Sequence, residues 1–358
     1  MPKHNQKTAV ILFNLGGPDQ LSSVKPFLFN LFNDKAIIAL PNPLRFILAK
    51  FISSRREKKA QGIYQEIGGK SPLLDITIAQ ADSLNRELSF HGDFKVFIAM
   101  RYWHPFVEQA IKQIKDYQPN QIILLPLYPQ FSSTTTASSI NNFIENFTDD
   151  KIPVKVACCY PTHPDFIKSH ALQIKQIIEK LKNKDLANIR ILFSAHGLPK
   201  SVINKGDPYV FQVEETAKKV MEFLPEICKE AKKIHFEYKI CYQSKVGPME
   251  WTSPSLDQEI RSVAIDKKIP IIVPIAFVSD HSETLVELDI EYRELAHHLG
   301  INQYYRVASL NIDRSYIESL RNIVLAINDN SEFDIFCGNS PQRICPKNYK
   351  LCPNQNIY

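Results

Sequence analysis

Glycine is scarce, with 11 in 358 residues. Neither G-x-G-x-x-G nor G-x-x-x-x-G-K-[ST] occurs, which excludes the usual loops that cradle nucleotide phosphates. Long apolar runs are missing as well. The longest, Ile269 to Val278, is broken by Pro270 and Pro274 and falls short of the ~18 residues a membrane-spanning helix needs. The opening Met-Pro-Lys-His-Asn-Gln-Lys gives way to a strand pattern by Thr8. That leaves no room for a signal or transit peptide, and a cytoplasmic protein is expected. No disulfide framework is visible either: the seven cysteines are odd in number and widely scattered. Nor does one sign of charge dominate. Lys+Arg 43 against Asp+Glu 38 leave +5, too little and too dispersed to indicate nucleic acid. The excess is compatible with an anionic ligand or with peripheral contact at the inner face of an anionic membrane. With 44% hydrophobic and 23% charged residues, the chain reads as globular, and its length implies one large or two medium domains.

What is present is a regular alternation. Short runs rich in Val, Ile and Phe predict strands near 8–15, 94–100, 121–127 and 153–159, and again near 189–195, 234–241, 270–278 and 304–309. Helical patterns over 21–33, 71–90, 105–117, 138–146, 164–182, 209–230, 255–266 and 282–299 lie between them. Strands alternating with helices imply parallel sheets covered on both faces. The two sets resemble copies: Ile11-Leu12-Phe13-Asn14-Leu15-Gly16-Gly17-Pro18 reads against Ile191-Leu192-Phe193-Ser194-Ala195-His196-Gly197-Leu198-Pro199. The expectation is an α/β protein of two similar doubly wound domains, each with a four-stranded parallel sheet. The first would span 1–165, the second 166–325 with its last strand and helix free to cross back, followed by a Cys-containing tail at 326–358. Ligands of such sheets sit outside the carboxyl ends of the strands, so a cleft lined by those ends is expected. This singles out Leu15-Gly16-Gly17, Arg101-Tyr102-Trp103-His104, Tyr128-Pro129-Gln130, His196-Gly197, Tyr242-Gln243-Ser244 and Asp280-His281-Ser282-Glu283.

The richest chemistry lies in Ser279-Asp280-His281-Ser282-Glu283-Thr284-Leu285-Val286-Glu287-Leu288-Asp289-Ile290-Glu291. On a helix, Glu283, Glu287 and Glu291 share one face, a repulsive arrangement that a cation or raised pKa values would offset. The competing reading is a capping box on a solvated acidic face. His196 ends a strand, where a neutral imidazole accepts a proton or binds metal; the competing reading is an ordinary turn histidine. Histidine with carboxylate suits a borderline ion such as Fe²⁺, and two ligands suit a metal in transit. Arg101, Tyr102 and Trp251 could flank a flat ring, and Arg55, Arg56 and Ser71 could meet acidic substituents; surface charge or plain packing is the alternative for each. The apolar segment 43–52, followed by Arg55-Arg56-Glu57-Lys58-Lys59, reads equally as a cleft lip, an amphipathic membrane contact or a core helix with a basic end.

Seven strings in order resemble the ferrochelatases, which insert ferrous iron into a porphyrin. They are Asn14-Leu15-Gly16-Gly17-Pro18, Ile67-Gly68-Gly69-Lys70-Ser71-Pro72, Arg101-Tyr102-Trp103-His104-Pro105, Tyr128-Pro129-Gln130-Phe131-Ser132-Ser133-Thr134-Thr135, Ser194-Ala195-His196-Gly197-Leu198-Pro199, Gln243-Ser244-Lys245-Val246-Gly247-Pro248-Met249 and Ser279-Asp280-His281-Ser282-Glu283-Thr284-Leu285. The resemblance runs from residue 9 to about 325. It implies two similar doubly wound domains around a porphyrin cleft. It makes His196 the active-site histidine and Glu283 its opposed carboxylate, with His281, Asp280 and Glu287 beside them. Arg101, Tyr102 and Trp251 fall near the macrocycle, and Ser71 with Arg55 or Arg56 near the propionates.

Some relatives that prefer coproporphyrin carry tyrosine where this chain has Leu15, so the expected substrates are protoporphyrin IX and Fe²⁺. The expected product is protohaem, made with release of two protons. No cofactor is required by this reading. A [2Fe–2S] cluster, as in the animal-type enzymes, would draw on Cys337, Cys345 and Cys352. Its internal ligand position is occupied by Ser133, so a fourth thiolate would come from Cys158, Cys159, Cys228, Cys241 or another chain; a loose reduced tail is the alternative. A monomer or a homodimer fits equally. The rival readings are a coproporphyrin enzyme, a chelatase for another divalent metal, and a non-catalytic porphyrin or haem carrier. The imidazole and the acidic row are expected to confront each other across a slot wide enough for a tetrapyrrole.

Overall fold

Each apolar run does become a strand. In the computed structural model, which describes residues 6–355 apart from the side chain at 184, β1 (Thr8–Asn14) is buried along its whole length. It is flanked by β2 (Phe94–Met100) and β3 (Gln121–Pro126), both parallel to it, and β4 (Val154–Cys159) lies beyond β3. The second set repeats the plan. β5 (Ile189–His196) lies between β6 (Glu237–Gln243) and β7 (Ile269–Pro274), and a two-residue β8 (Tyr305–Arg306) follows β7. The sheet orders are β2-β1-β3-β4-β9 and β6-β5-β7-β8. Burial on both faces requires covering helices, which is why strands such as Gln121–Pro126 contain little but apolar residues.

The first sheet has five strands rather than the expected four. β9 (Ile335–Cys337) comes from the tail and pairs with β4, setting Cys337 against Cys159. Three residues are too few for a readable apolar pattern.

The chain forms two units, and the tail serves both. Among the described residues, one takes the chain through Cys159, then Leu320–Ile344 and 353–355; the other is Tyr160–Ser319 with Cys345–Cys352. In the first unit Ile11, Phe13, Phe97, Ile111, Ile122 and Leu124 form the centre of a buried cluster. In the second, Leu192, Cys241, Ile260, Ile272 and Leu288 do the same.

One helix runs longer than its apolar segment, and another differs in kind from expectation. The segment 43–52 is the first half of one long helix, Asn42–Gln65, that packs through Ala49 and Tyr64 against Phe27, Leu28 and Phe32. The stretch expected as an ordinary helix over 282–299 begins as a π-helix, Glu283–Glu291, and continues as the α-helix Tyr292–His298. Its wider turn is visible in the Tyr292 N–H, which bonds back to the Glu287 carbonyl. π-Helical turns are rare overall and are found frequently at functional sites.

Candidate active site

Within the second unit, three strand ends converge on the π-helix. β5 ends at His196 and β6 at Gln243, and the segment after β7 leads into Glu283. His196 Nδ1 lies 2.8 Å from Glu283 Oε2. An ionised carboxylate only accepts, so Nδ1 carries the hydrogen and Nε2 presents its lone pair. The His196 side chain is 38% exposed.

Burial disfavours both charged forms, yet the pairing outweighs it. The Glu283 charge raises the His196 pKa above its ordinary value, and the nearby imidazole holds the Glu283 carboxyl down at about 2. Glu287 goes the other way. Burial first, and then the Glu283 charge, push it up to about 7. Two neighbouring carboxylates with divided protonation are a common acid–base arrangement.

The direct bond between His196 and Glu283 corrects one expectation. A tetrapyrrole cannot lie between groups 2.8 Å apart, so the imidazole and the acidic row present one shared edge rather than opposite walls of a slot. Of the three glutamates, Glu283 and Glu287 belong to this site, whereas Glu291 is exposed. The solvated-face reading therefore holds for Glu291 alone.

The neighbours divide into two groups. His281 turns its Nδ1 to the Ser279 carbonyl at 3.1 Å, and its Nε2 stands 3.9 Å from Glu283 Oε1. Asp280 is committed elsewhere. Its carboxylate takes Arg306 at 3.0 Å, Asn311 at 2.8 Å and the Thr284 hydroxyl at 2.9 Å. Burial opposes its charge, but Arg306 and these donors keep its pKa below the ordinary value. Asp280 thus anchors the start of the helix. Trp251 is brought beside Gly197 by a bridge between Pro199 and Trp251, with the Thr252 N–H bonded to the Leu198 carbonyl. Its indole nitrogen is buried and finds no partner among the described residues.

The other candidates lie in the first unit. Arg101 bonds Asp34 at 2.9 Å and the Ser138 hydroxyl at 2.7 Å. Tyr102 is fully buried and donates to the same Asp34 at 2.8 Å. Burial, then the Asp34 charge, hold its phenol well above the ordinary range. Leu15 is half-buried, packs against the cluster around Phe27, and accepts the Tyr102 N–H through its carbonyl. Ser71 is buried under the Gly16-Gly17 turn. Gly16 has φ +83°, and a Cβ on Gly17 would lie 2.4 Å from Ser71 Oγ, so only glycine fits there. Arg55 is exposed, and Arg56 lies over the Phe32 ring at 5.7 Å.

The cysteines group differently from the tail triad. Cys158, Cys159 and Cys337 bring their sulfurs within 4.8 Å of one another. Hydrogen bonds from the other two thiols pull Cys337 down to about 3 and push Cys159 up. Cys345 and Cys352, also buried, belong to the second unit, where Gln212 bonds the Cys345 sulfur at 3.1 Å. A three-thiol group is one ligand short of a [2Fe–2S] cluster. The donor set does not fit such a cluster.

The sequence reading gave no role to Gln243, Ser244 or Asp34. The first two stand at a strand end and so carried a positional signal. Asp34 lies in a turn after a helix and carried none.

Comparison with known proteins agrees across the chain. The family model described as ferrochelatase matches residues 7–327. A ferrochelatase of Rickettsia bellii is 53% identical over 352 residues, covering 98% of this chain and 95% of the relative. One from Rickettsia prowazekii is 52% identical over 350 residues, covering 97% and 98%. One from Pelagibacter ubique is 45% identical over 356 residues, covering 98% and 99%. Among solved structures, SirB from Bacillus subtilis with Fe³⁺ aligns with a TM-score of 0.54 at 14% identity, over 91% of this chain and 97% of that one. At that identity the likeness speaks for the fold.

Proposed function

The chain belongs to the ferrochelatase family, and from that premise we propose that it inserts Fe²⁺ into protoporphyrin IX, with His196 and Glu283 as the reacting pair. The observation that carries this reading is the 2.8 Å bond between them. A free porphyrin holds two pyrrole N–H groups where the metal must go, so iron enters as two protons leave. His196 Nε2 takes a pyrrole proton, and the resulting imidazolium is stabilised by the Glu283 carboxylate on its other nitrogen. A second proton needs another acceptor, and Glu287, hydrogen-bonded through Ser244 to the same pair, is next along the network. Imidazole and carboxylate suit Fe²⁺ but select it weakly against Co²⁺.

Leu15 offers no phenol to the macrocycle, which favours protoporphyrin IX over coproporphyrin III. Arg55, with Arg56, is the proposed propionate partner, and Arg101 and Trp251 border the ring, while the buried Ser71 and Tyr102 support them from behind. Haem yield from Fe²⁺ with each porphyrin under anaerobic conditions tests the reading. Faster turnover of coproporphyrin III overturns the substrate choice, and binding without product makes the chain a carrier. Iron and sulfide counted on the purified protein test the cluster, and the expected sulfide content is nil.

A peripheral membrane contact is a second reading. The helix Asn42–Gln65 exposes Leu44, Phe46, Ile47 and Phe51, while Arg55, Lys58 and Lys59 follow on its cationic half. No described helix is long and apolar enough to cross a membrane. Co-sedimentation with anionic vesicles, abolished by Ile47→Glu with Phe51→Glu, is the expected result; equal binding by the variant sinks the contact.

A further inference from the structure

Two carboxylates held side by side repel, and something must oppose their separation. Ser244 Oγ lies 2.9 Å from Glu283 Oε2 and 2.5 Å from Glu287 Oε2, and its backbone N–H donates to Glu287 Oε1 at 3.0 Å. Gln243 Nε2 donates to the Glu283 carbonyl at 3.0 Å and to Glu287 Oε2 at 3.1 Å. The amide is fixed in that orientation from behind, because the fully buried Ser194 hydroxyl donates to Gln243 Oε1 at 2.6 Å. The chain of contacts therefore runs from β5, two residues before His196, through the end of β6, to the π-helix.

Backbone geometry points the same way. Ser244 adopts φ +65°, a region costly for a residue with a side chain. Glycine would adopt this turn without that cost. Serine at that position keeps a hydroxyl between the two glutamates at a conformational cost.

We propose that Gln243 and Ser244 form a clamp that fixes Glu283 and Glu287 as one acidic pair beside His196, which makes them positioning residues for iron handling. The proposal rests on the reading of His196 and Glu283 given above. Ser194 sets the clamp, Gln243 spans it, and Ser244 closes it.

Ser244→Gly tests the clamp, since glycine adopts φ +65° without strain and folding is not at stake. In anaerobic assays with Fe²⁺ and protoporphyrin IX, S244G is expected to need about 10–100-fold more Fe²⁺ for half-maximal rate. The KM for porphyrin and the thermal midpoint should stay unchanged. In an E287Q background the same substitution should cost nothing further, because the two act as a unit. An unaltered Fe²⁺ dependence in S244G overturns the clamp, and so do losses that multiply in the double variant. A wild-type protein that forms no haem overturns the underlying reading instead, so the two failures are told apart by the wild-type control.

Discussion

The four strands of the second sheet repeat the order of the first four in the other sheet, yet the carboxyl ends of the two treat charge in opposite ways. In the first unit charge is cancelled where it arises. Arg101 meets Asp34, Ser138 and Tyr102 complete the group, and of the four only Arg101 is partly exposed. In the second unit charge is left over, with two glutamates around one imidazole and one serine hydroxyl. The repeat supplies equivalent places at strand ends; a handful of side chains decides whether a place becomes a wall or a reactive edge.

The largest effect should come from emptying the reactive edge. His196→Ala is expected to lower kcat by about 10²–10⁴-fold with the fold retained, as measured by anaerobic turnover beside a melting curve. Near-normal turnover would remove the imidazole from the chemistry and erase the contrast.

Breaking the wall should show the reverse pattern. Asp34→Ala strands the Arg101 guanidinium, and loss of one partner of a buried pair costs about 3 kcal/mol. Denaturant titration should register this in stability first; an unchanged midpoint would mean that the wall is held by packing alone.

A smaller effect is expected from Glu287→Gln, which keeps the shape and removes the charge. The Fe²⁺ needed for half-maximal rate should rise roughly tenfold, and an identical Fe²⁺ curve would count against a carboxylate role.

The smallest effect concerns a residue in neither place. Buried His170 has no hydrogen-bond partner on either nitrogen among the described residues, and burial lowers its pKa to about 3. The unfolded chain takes a proton near 6.5 that the folded one refuses. Its contribution is therefore intact above pH 6.5 and is lost as pH falls, by about 1.4 kcal/mol at pH 5.5. His170→Phe should flatten this part of the stability profile; a profile of unchanged slope would place the titration elsewhere.

The parallel architecture was legible because strands buried on both faces must be nearly all apolar. Eight runs announced eight strands. β9 escaped because Ile335–Cys337 is short and its partner lies far away in the chain. The acidic helix was legible as a pattern, but its π turn was not, since α and π turns draw on the same residues. His196 and Glu283 stood out through position and chemistry together. Their direct bond could not be read, nor could the commitment of Asp280 to Arg306, because both depend on partners distant in sequence. The three-thiol group joins an adjacent pair to a cysteine from the tail, a meeting that spacing alone could not foretell.

The return of the tail to β4 has a consequence for synthesis. Until Ile335–Cys337 leaves the ribosome, the outer edge of β4 offers unpaired backbone groups to any passing strand. The N-terminal half must wait in that state while the whole of Tyr160–Ser319 is being translated. A nascent chain stalled before residue 335 would thus carry one more open strand edge in the half that was made first.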